Sequence, residues 1–425
     1  MVFPSLLLAV SAAVLTPALA RAAAPEATGV ADASVAIDVL TVDTAIELAV
    51  RRSLSARSAR AGIASATESA RAAGRFPDPM LRVGIENLPV TGPDRFSTTA
   101  DSMTMKRIGI SQEWLSAAKR DARRAAANAA VQREQAQLQV ALAETRLQAS
   151  LAYIDAYYAT QALKLAALME HHAHEEFEAG RGRLASSTGT GQEVLMLSGA
   201  WVIAEDDSND VRQQQATAQV ALQRWSGVTP GELAAPDIHG LSEDTFVQGH
   251  PAVLARQQEL EVARQEAVVT RTNRTPNWTW EASYGQRTGY SDMLSVGVTI
   301  PLVVAPGDRQ DRDTGAKLAL VDKAEADLAE ARRSALADYA ALDRTADLLD
   351  ERIRRYRAGV VLAAGQRVDA ATAAYRSGGG TLLTLFEARR ADVEAQRKLL
   401  ALQRDFSRTM AQLAWRSWSA GRDGQ

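Results

Sequence analysis

Leu294-Ser295-Val296-Gly297-Val298-Thr299-Ile300-Pro301 decides the fold. Leu294, Val296, Val298 and Ile300 share one face of an extended chain, and Ser295, Gly297 and Thr299 share the other. This period-two alternation is the signature of a strand. Just upstream, Trp278, Trp280, Ala282 and Tyr284 alternate with Thr279, Glu281, Ser283 and Gly285. Earlier in the chain Leu81, Val83 and Ile85 alternate with Arg82, Gly84 and Glu86. Strands that are apolar on one face and polar on the other suit a transmembrane barrel, with Trp278, Trp280 and Tyr284 at the level of a membrane interface. A further strand is less regular. Met103 and Met105 fall on one phase, Ile108 and Ile110 on the other, which predicts a bulge near Lys106 or Arg107. Four strands leave two edges unpaired in lipid, so a spanning barrel needs several copies of the chain. The competing reading is a pair of soluble hairpins capping a coiled coil.

Working outward, the strands belong to a repeat. Ile108-Gly109-Ile110 matches Val296-Gly297-Val298 at a shift of 188 (109 to 297). Thr188-Gly189-Thr190-Gly191 matches Ser377-Gly378-Gly379-Gly380 at 189 (189 to 378), and Trp225 matches Trp415 at 190. Phe76-Pro77 and Thr275-Pro276 match at 199 (77 to 276), which predicts a longer loop in the first half between Leu88 and Ser102. Each half reads as a helix (Val42 to Gly74, Pro251 to Thr272), a proline break, two strands, a very long helix, a glycine-rich turn and a further helix. The long helices are expected over about Leu115 to Ser187 and Thr314 to Arg376, without an internal breaker. At 1.5 Å per residue they would be roughly 110 and 95 Å long, too long for a globular core. Val321, Leu328, Ala335, Leu342, Leu349 and Tyr356 recur at steps of seven, while Leu147, Leu151, Ile154 and Tyr158 alternate steps of four and three. Both patterns describe a supercoil seam.

The chain has 425 residues, a formal net charge of −3 and no cysteine. The charge gives no reason to expect a nucleic-acid partner. The lack of cysteine excludes disulfides, cysteine-ligated zinc, thiol catalysis and lipid attachment at an N-terminal cysteine. Residues 1–22 read as a secretory signal. Leu6 to Leu15 form its apolar segment, and Ala18-Leu19-Ala20 or Ala20-Arg21-Ala22 its cleavage site, although no Lys or Arg precedes them. No later stretch of 18 apolar residues occurs, so any crossing of a membrane must use strands. No nucleophile elbow, phosphate loop or dinucleotide fingerprint is present, and neither enzymatic activity nor a cofactor is expected. Gly378-Gly379-Gly380 lacks the strand and the Lys-Ser/Thr of a phosphate loop. His171-His172-Ala173-His174-Glu175-Glu176 places His171, His174, Glu175 and Glu178 on one helical face at chelating spacing. A solvated helix surface explains the run equally well. His171 and His174 are therefore weak metal candidates, and no metal site is expected.

Taken together, the chain resembles the TolC-like outer-membrane efflux channels (outer membrane factors) from about Thr41 to Trp418. The resemblance rests on the duplicated plan, on Leu294 to Pro301, and on Tyr375-Arg376-Ser377-Gly378-Gly379-Gly380-Thr381-Leu382-Leu383-Thr384-Leu385-Phe386-Glu387-Ala388 with its partner Gly189-Thr190-Gly191-Gln192-Glu193-Val194-Leu195. It implies a mainly α fold with a small β part, in which long antiparallel helices form an α-barrel. Four strands per chain would join a trimeric β-barrel of roughly twelve strands. It implies a first repeat at 41–226, an equatorial segment at 227–249, a second repeat at 250–418 and a tail at 419–425. The loops Leu88–Ser102 and Arg287–Asp292 would face outside the cell. Gly189, Gly191, Gly378 and Gly380 would form the periplasmic tip, where Glu193, Thr384 and Glu387 stand at the constriction; Thr384 occupies a position where the family often has an aspartate. The implied partners are two further copies, outer-membrane lipid, a periplasmic adaptor and an inner-membrane pump of the resistance-nodulation-division type. The implied function is passive conduction of what the pump delivers. The lack of a lipid-accepting cysteine and the form of the last two strands are most similar to the heavy-metal (cobalt-zinc-cadmium type) branch, with metal cations as cargo. The alternative is a periplasmic adaptor with a coiled-coil hairpin.

Overall fold

The computed structural model describes residues 38–415. The signal segment at 1–22 and the tail at 419–425 lie outside the described residues. Strand β1 (Val39–Leu40) leads into helix α1 (Val42–Arg52) and helix α2 (Leu54–Ala72). The expected single helix from Val42 to Gly74 is thus two. Ser53 is extended, ends α1, and its side chain accepts a hydrogen bond from the Ala56 amide to cap α2. The Ser53 hydroxyl also lies 3.0 Å from the Thr145 hydroxyl, which fixes the break against the neighbouring long helix.

Strands β2 (Met80–Glu86) and β3 (Met105–Trp114) come next, followed by α3 (Ala117–Ala185) and α4 (Gly191–Ser226). Helix α3 has 69 residues without interruption, about 104 Å of helix. The Ser116 side chain caps its start, and Gly227 ends α4 in the left-handed conformation. A connecting stretch holds β4 (Glu232–Leu233), which pairs parallel with β1, and α5 (Glu243–Gly249). The plan then recurs as α6 (Pro251–Thr272), β5 (Trp278–Gln286), β6 (Met293–Thr299) and α7 (Gln310–Tyr356). The second long helix is not unbroken as expected. It loosens into a π turn over Arg357–Val361 before α8 (Leu362–Arg376), and α9 (Leu382–Trp415) returns alongside.

The buried residues form thin separate clusters rather than one core. Leu40, Ile46, Ala149, Tyr153 and Leu222 pack where β1 and β4 meet α3. The Tyr153 hydroxyl lies 2.7 Å from both the Leu40 and the Ala234 carbonyl oxygens, pinning the short strand pair to the helix. Met169, Ala173, Ala204, Phe386 and Val393 join α3, α4 and α9. Val253, Leu260, Leu328 and Ala335 join α6 and α7. Of the expected seam, Leu328 and Ala335 are buried, while Leu342, Leu349 and Tyr356 are half-buried beside the buried Ala346 and Ile353. Alanine at so many contacts lets helix axes approach closely, so narrow layers still exclude water.

The four long strands form one antiparallel sheet in the order β2-β3-β5-β6, leaving β2 and β6 as its edges. Pairing runs without a gap from Glu86↔Met105 to Met80↔Ser111, and from Lys106↔Gln286 to Trp114↔Trp278. The bulge expected near Lys106 or Arg107 is therefore absent. Met103 lies outside the strand, and Met105 points to the polar face, its sulfur over Gly285, which offers no side chain there.

Candidate membrane sheet and tip turns

The register fixes what each face of the sheet carries, because directly opposed residues share a face. One face presents Leu81, Val83 and Ile85, then Ile108 and Ile110, then Trp278, Trp280 and Tyr284, then Leu294, Val296 and Val298. All of these are exposed; Leu81 and Val83 are each 70% open and Leu294 76%. Water penalises such a surface, at roughly 25 cal/mol per Å² of apolar area. Lys106 is the charged exception, at the end of β3 nearest the loops, where a long stem can carry its ammonium to an interface.

The opposite face is polar and more enclosed. Arg107 donates to Glu86 at 2.6 Å and to the Ser283 hydroxyl at 2.7 Å, and lies 3.5 Å from Glu281. Arg82 reaches Glu281 at 3.5 Å. The sheet is thus inverted relative to a soluble protein, with ion pairs on the sheltered side and hydrophobic side chains outside. Aromatic rings mark both ends of the apolar face. Trp114, Trp278 and Trp280 stand at the helix end, with Phe76 4.9 Å from Trp114. Tyr284 and Tyr290 stand toward the β5–β6 loop, where Asp292 accepts hydrogen bonds from the Tyr284 hydroxyl and the Arg287 amide. Tyr284 lies six positions beyond Trp278, about 20 Å of strand.

The two tip turns are built by one hydrogen-bond pattern. In the first, the amides of Ser187, Thr188 and Gly189 donate to Leu184, Arg183 and Arg183. In the second, Gly378, Gly379 and Gly380 donate to Tyr375, Ala374 and Ala374. Every pair is related by a shift of 191 (189 to 380), not the 189 suggested by aligning Gly189 with Gly378. Gly189 instead corresponds to Gly380. A Cβ on either would come within 3.2 Å of the same two positions of the preceding helix. Gly378, at φ +79°, corresponds to Ser187 at φ +62°, and Gly191 to Leu382. Thr190 and Thr381 then cap the returning helices by accepting from the Glu193 and Thr384 amides.

This register sets the acidic candidates apart. Glu193 occupies the position of Thr384, and Met196 that of Glu387. Thr384 closes a capping box, its hydroxyl accepting from the Thr381 amide at 3.1 Å. Glu193 lies 3.4 Å from Arg183. Glu387 is exposed and has no ion pair among the described residues. Sequence reading missed two further charged contacts, the Arg107 network and a buried pair in which Arg389 donates to Glu176 at 2.9 Å.

The histidine run does not converge. His171 and His172 approach Glu175 at 3.3 and 3.4 Å, while the His174 ring packs on Trp201 at 4.9 Å. Among the described residues no group of three or more histidines and carboxylates is placed to hold a metal. No helix among them is long and apolar enough to cross a membrane.

Residues 244–415 match the model of the outer membrane efflux protein family. No curated protein matches the chain. Solved structures share its fold over most of its length. A membrane protein from Pseudomonas aeruginosa aligns with a TM-score of 0.72 at 17% identity, covering 89% of this chain and 92% of that one. The outer membrane protein VceC of Vibrio cholerae gives 0.68 at 20% identity, over 87% and 94%. The open state of the MtrE outer membrane channel of Neisseria gonorrhoeae gives 0.68 at 18% identity, over 88% and 87%.

Proposed function

We propose that the chain is the outer-membrane channel subunit of a tripartite efflux system and that three copies assemble it. The observation that carries this reading is the inverted sheet, whose continuous apolar face and unpaired edges β2 and β6 are stable only when further strands close a barrel in lipid. The attached helices, about 100 Å long, extend the conduit into the periplasm. There the tip turns meet an adaptor and an inner-membrane pump of the resistance-nodulation-division type. Conduction is passive, since the residues supply a path and no chemistry. Cations are the cargo class we favour, metal ions among them. The exposed, unpaired carboxylate of Glu387, repeated three times around a narrow tip, supports that choice.

The absence of cysteine makes a direct test available. Single cysteines at Val83 and Val296 are expected to resist a water-soluble maleimide in outer-membrane vesicles, while cysteines at Arg82 and Ser295 react through the lumen. Equal labelling of both faces would mean a soluble sheet and would favour the adaptor reading.

A further inference from the structure

A cleft of about 670 Å³ opens between the end of α2 and the start of α3. Arg71, Arg75, Arg120 and Arg124 line it together with Thr67 and Phe76, and no carboxylate does. Arg71 and Arg124 are balanced from outside the cleft by Glu68 at 2.5 Å and Asp121 at 3.3 Å. Arg75 and Arg120 have no carboxylate partner among the described residues. The Arg120 Nε is buried and without a hydrogen-bond acceptor, a costly state for a charged donor. Both unpaired guanidinium groups lie near the first turn of α3, where the helix adds its own positive end. Such a site calls for an anion with several oxygens, and arginine forks fit phosphate in particular.

The surroundings say which phosphate. The Arg120 guanidinium lies 4.4 Å from the Phe76 ring centre, and that ring lies 4.9 Å from Trp114, the last residue of β3 on the apolar face. The cleft is therefore one aromatic ring away from the hydrophobic band. Arg123 continues the basic surface alongside it, where Lys317 is neutralised by Glu266 at 2.7 Å. In the second repeat the counterpart of Arg75 at the shift of 199, Arg274, is neutralised by Asp311 at 3.6 Å. Given the reading that the sheet spans the outer membrane, we propose that this cleft binds the phosphate of an anionic phospholipid headgroup in the periplasm-facing leaflet. The acyl chains lie along Phe76 and Trp114, a contact that free phosphate has no means to use.

Native mass spectrometry of the full-length protein tests this, with phosphatidylglycerol, phosphatidylcholine or inorganic phosphate added. Wild type is expected to retain phosphatidylglycerol over phosphatidylcholine, and excess inorganic phosphate leaves it bound. Arg75→Gln/Arg120→Gln is expected to lower that preference roughly tenfold. Arg75→Gln alone, a change at an exposed side chain that leaves folding intact, lowers it in the same direction. Equal retention of the two lipids, a preference unchanged in both variants, or release by inorganic phosphate would overturn the headgroup site. Liposome insertion separates this from the larger reading. Wild type that inserts without lipid preference loses only the cleft, whereas wild type that fails to insert loses the membrane assignment and the cleft with it.

Discussion

Glu176 is the most telling single residue of the helical part, because it is almost wholly buried with one carboxylate oxygen on Arg389 and the other without a partner. Burial pushes its pKa up to about 7, against the pull of Arg389 in the opposite direction. The folded state then holds the proton more tightly than the unfolded state, whose carboxyl titrates near 4.5. Stability contributed here is full below that value, falls as pH rises to about 7, and is level above it. Melting midpoints between pH 4.5 and 8 should show this decline in wild type and lose it in Glu176→Gln; an unchanged slope would assign it elsewhere. Arg389→Ala strands the carboxylate and is expected to destabilise by about 3 kcal/mol in chemical unfolding. A second residue-scale test lies in the tip turns, where Ser187 and Gly378 hold the same left-handed conformation. Ser187→Gly should stabilise and Gly378→Ala destabilise, each by about 1 kcal/mol. Opposite signs at either position would undo the equivalence. That equivalence was only half legible, because matching glycine to glycine pairs Gly189 with Gly378, whereas the backbone pairs glycine with serine. The Thr190-to-Glu193 and Thr381-to-Thr384 spacings held the better clue, since capping threonines mark helix starts.

Among the elements, the strands were the most legible, because a strand with one wet and one apolar face must alternate. β2, β5 and β6 appear where Leu81 to Ile85, Trp278 to Tyr284 and Leu294 to Val298 put them. β3 misled because Met105 breaks the alternation: an apolar side chain sits on the polar face to cover Gly285, a space visible only once the strands are paired. The break at Ser53 and the π turn at Arg357–Val361 were hidden for a related reason. Neither is marked by proline, and the break at Ser53 depends on the Thr145 hydroxyl that the neighbouring helix presents. The two-faced sheet predicts an asymmetric response to charge. Val296→Arg should cost about 2–4 kcal/mol of membrane assembly, whereas Ser295→Arg, one residue away on the polar face, should leave it nearly intact. The yield of heat-resistant oligomer in outer-membrane fractions measures both. Equal losses would mean the sheet is not sided toward lipid.

At the scale of the whole molecule, a single chain leaves several surfaces unfinished. Its sheet has two open edges, its apolar strand face is bare, and α4 exposes Leu195, Met196, Val202 and Ile203 near the tip. Each deficit is one that further copies around a common axis would remove. The unbroken length of α3 was readable from spacing alone, whereas the π turn at Arg357–Val361 and the register of the tip turns were not. The candidate constriction was less readable, because a carboxylate's meaning depends on its partner. Glu193 is held by Arg183, while Glu387 has no ion pair among the described residues. The measurement that tests the central claim most directly is single-channel conductance of the purified oligomer in planar bilayers, wild type beside Glu387→Ala. The account predicts a small, cation-preferring conductance whose preference weakens in the variant. A folded oligomer that inserts into the bilayer and conducts nothing would contradict it.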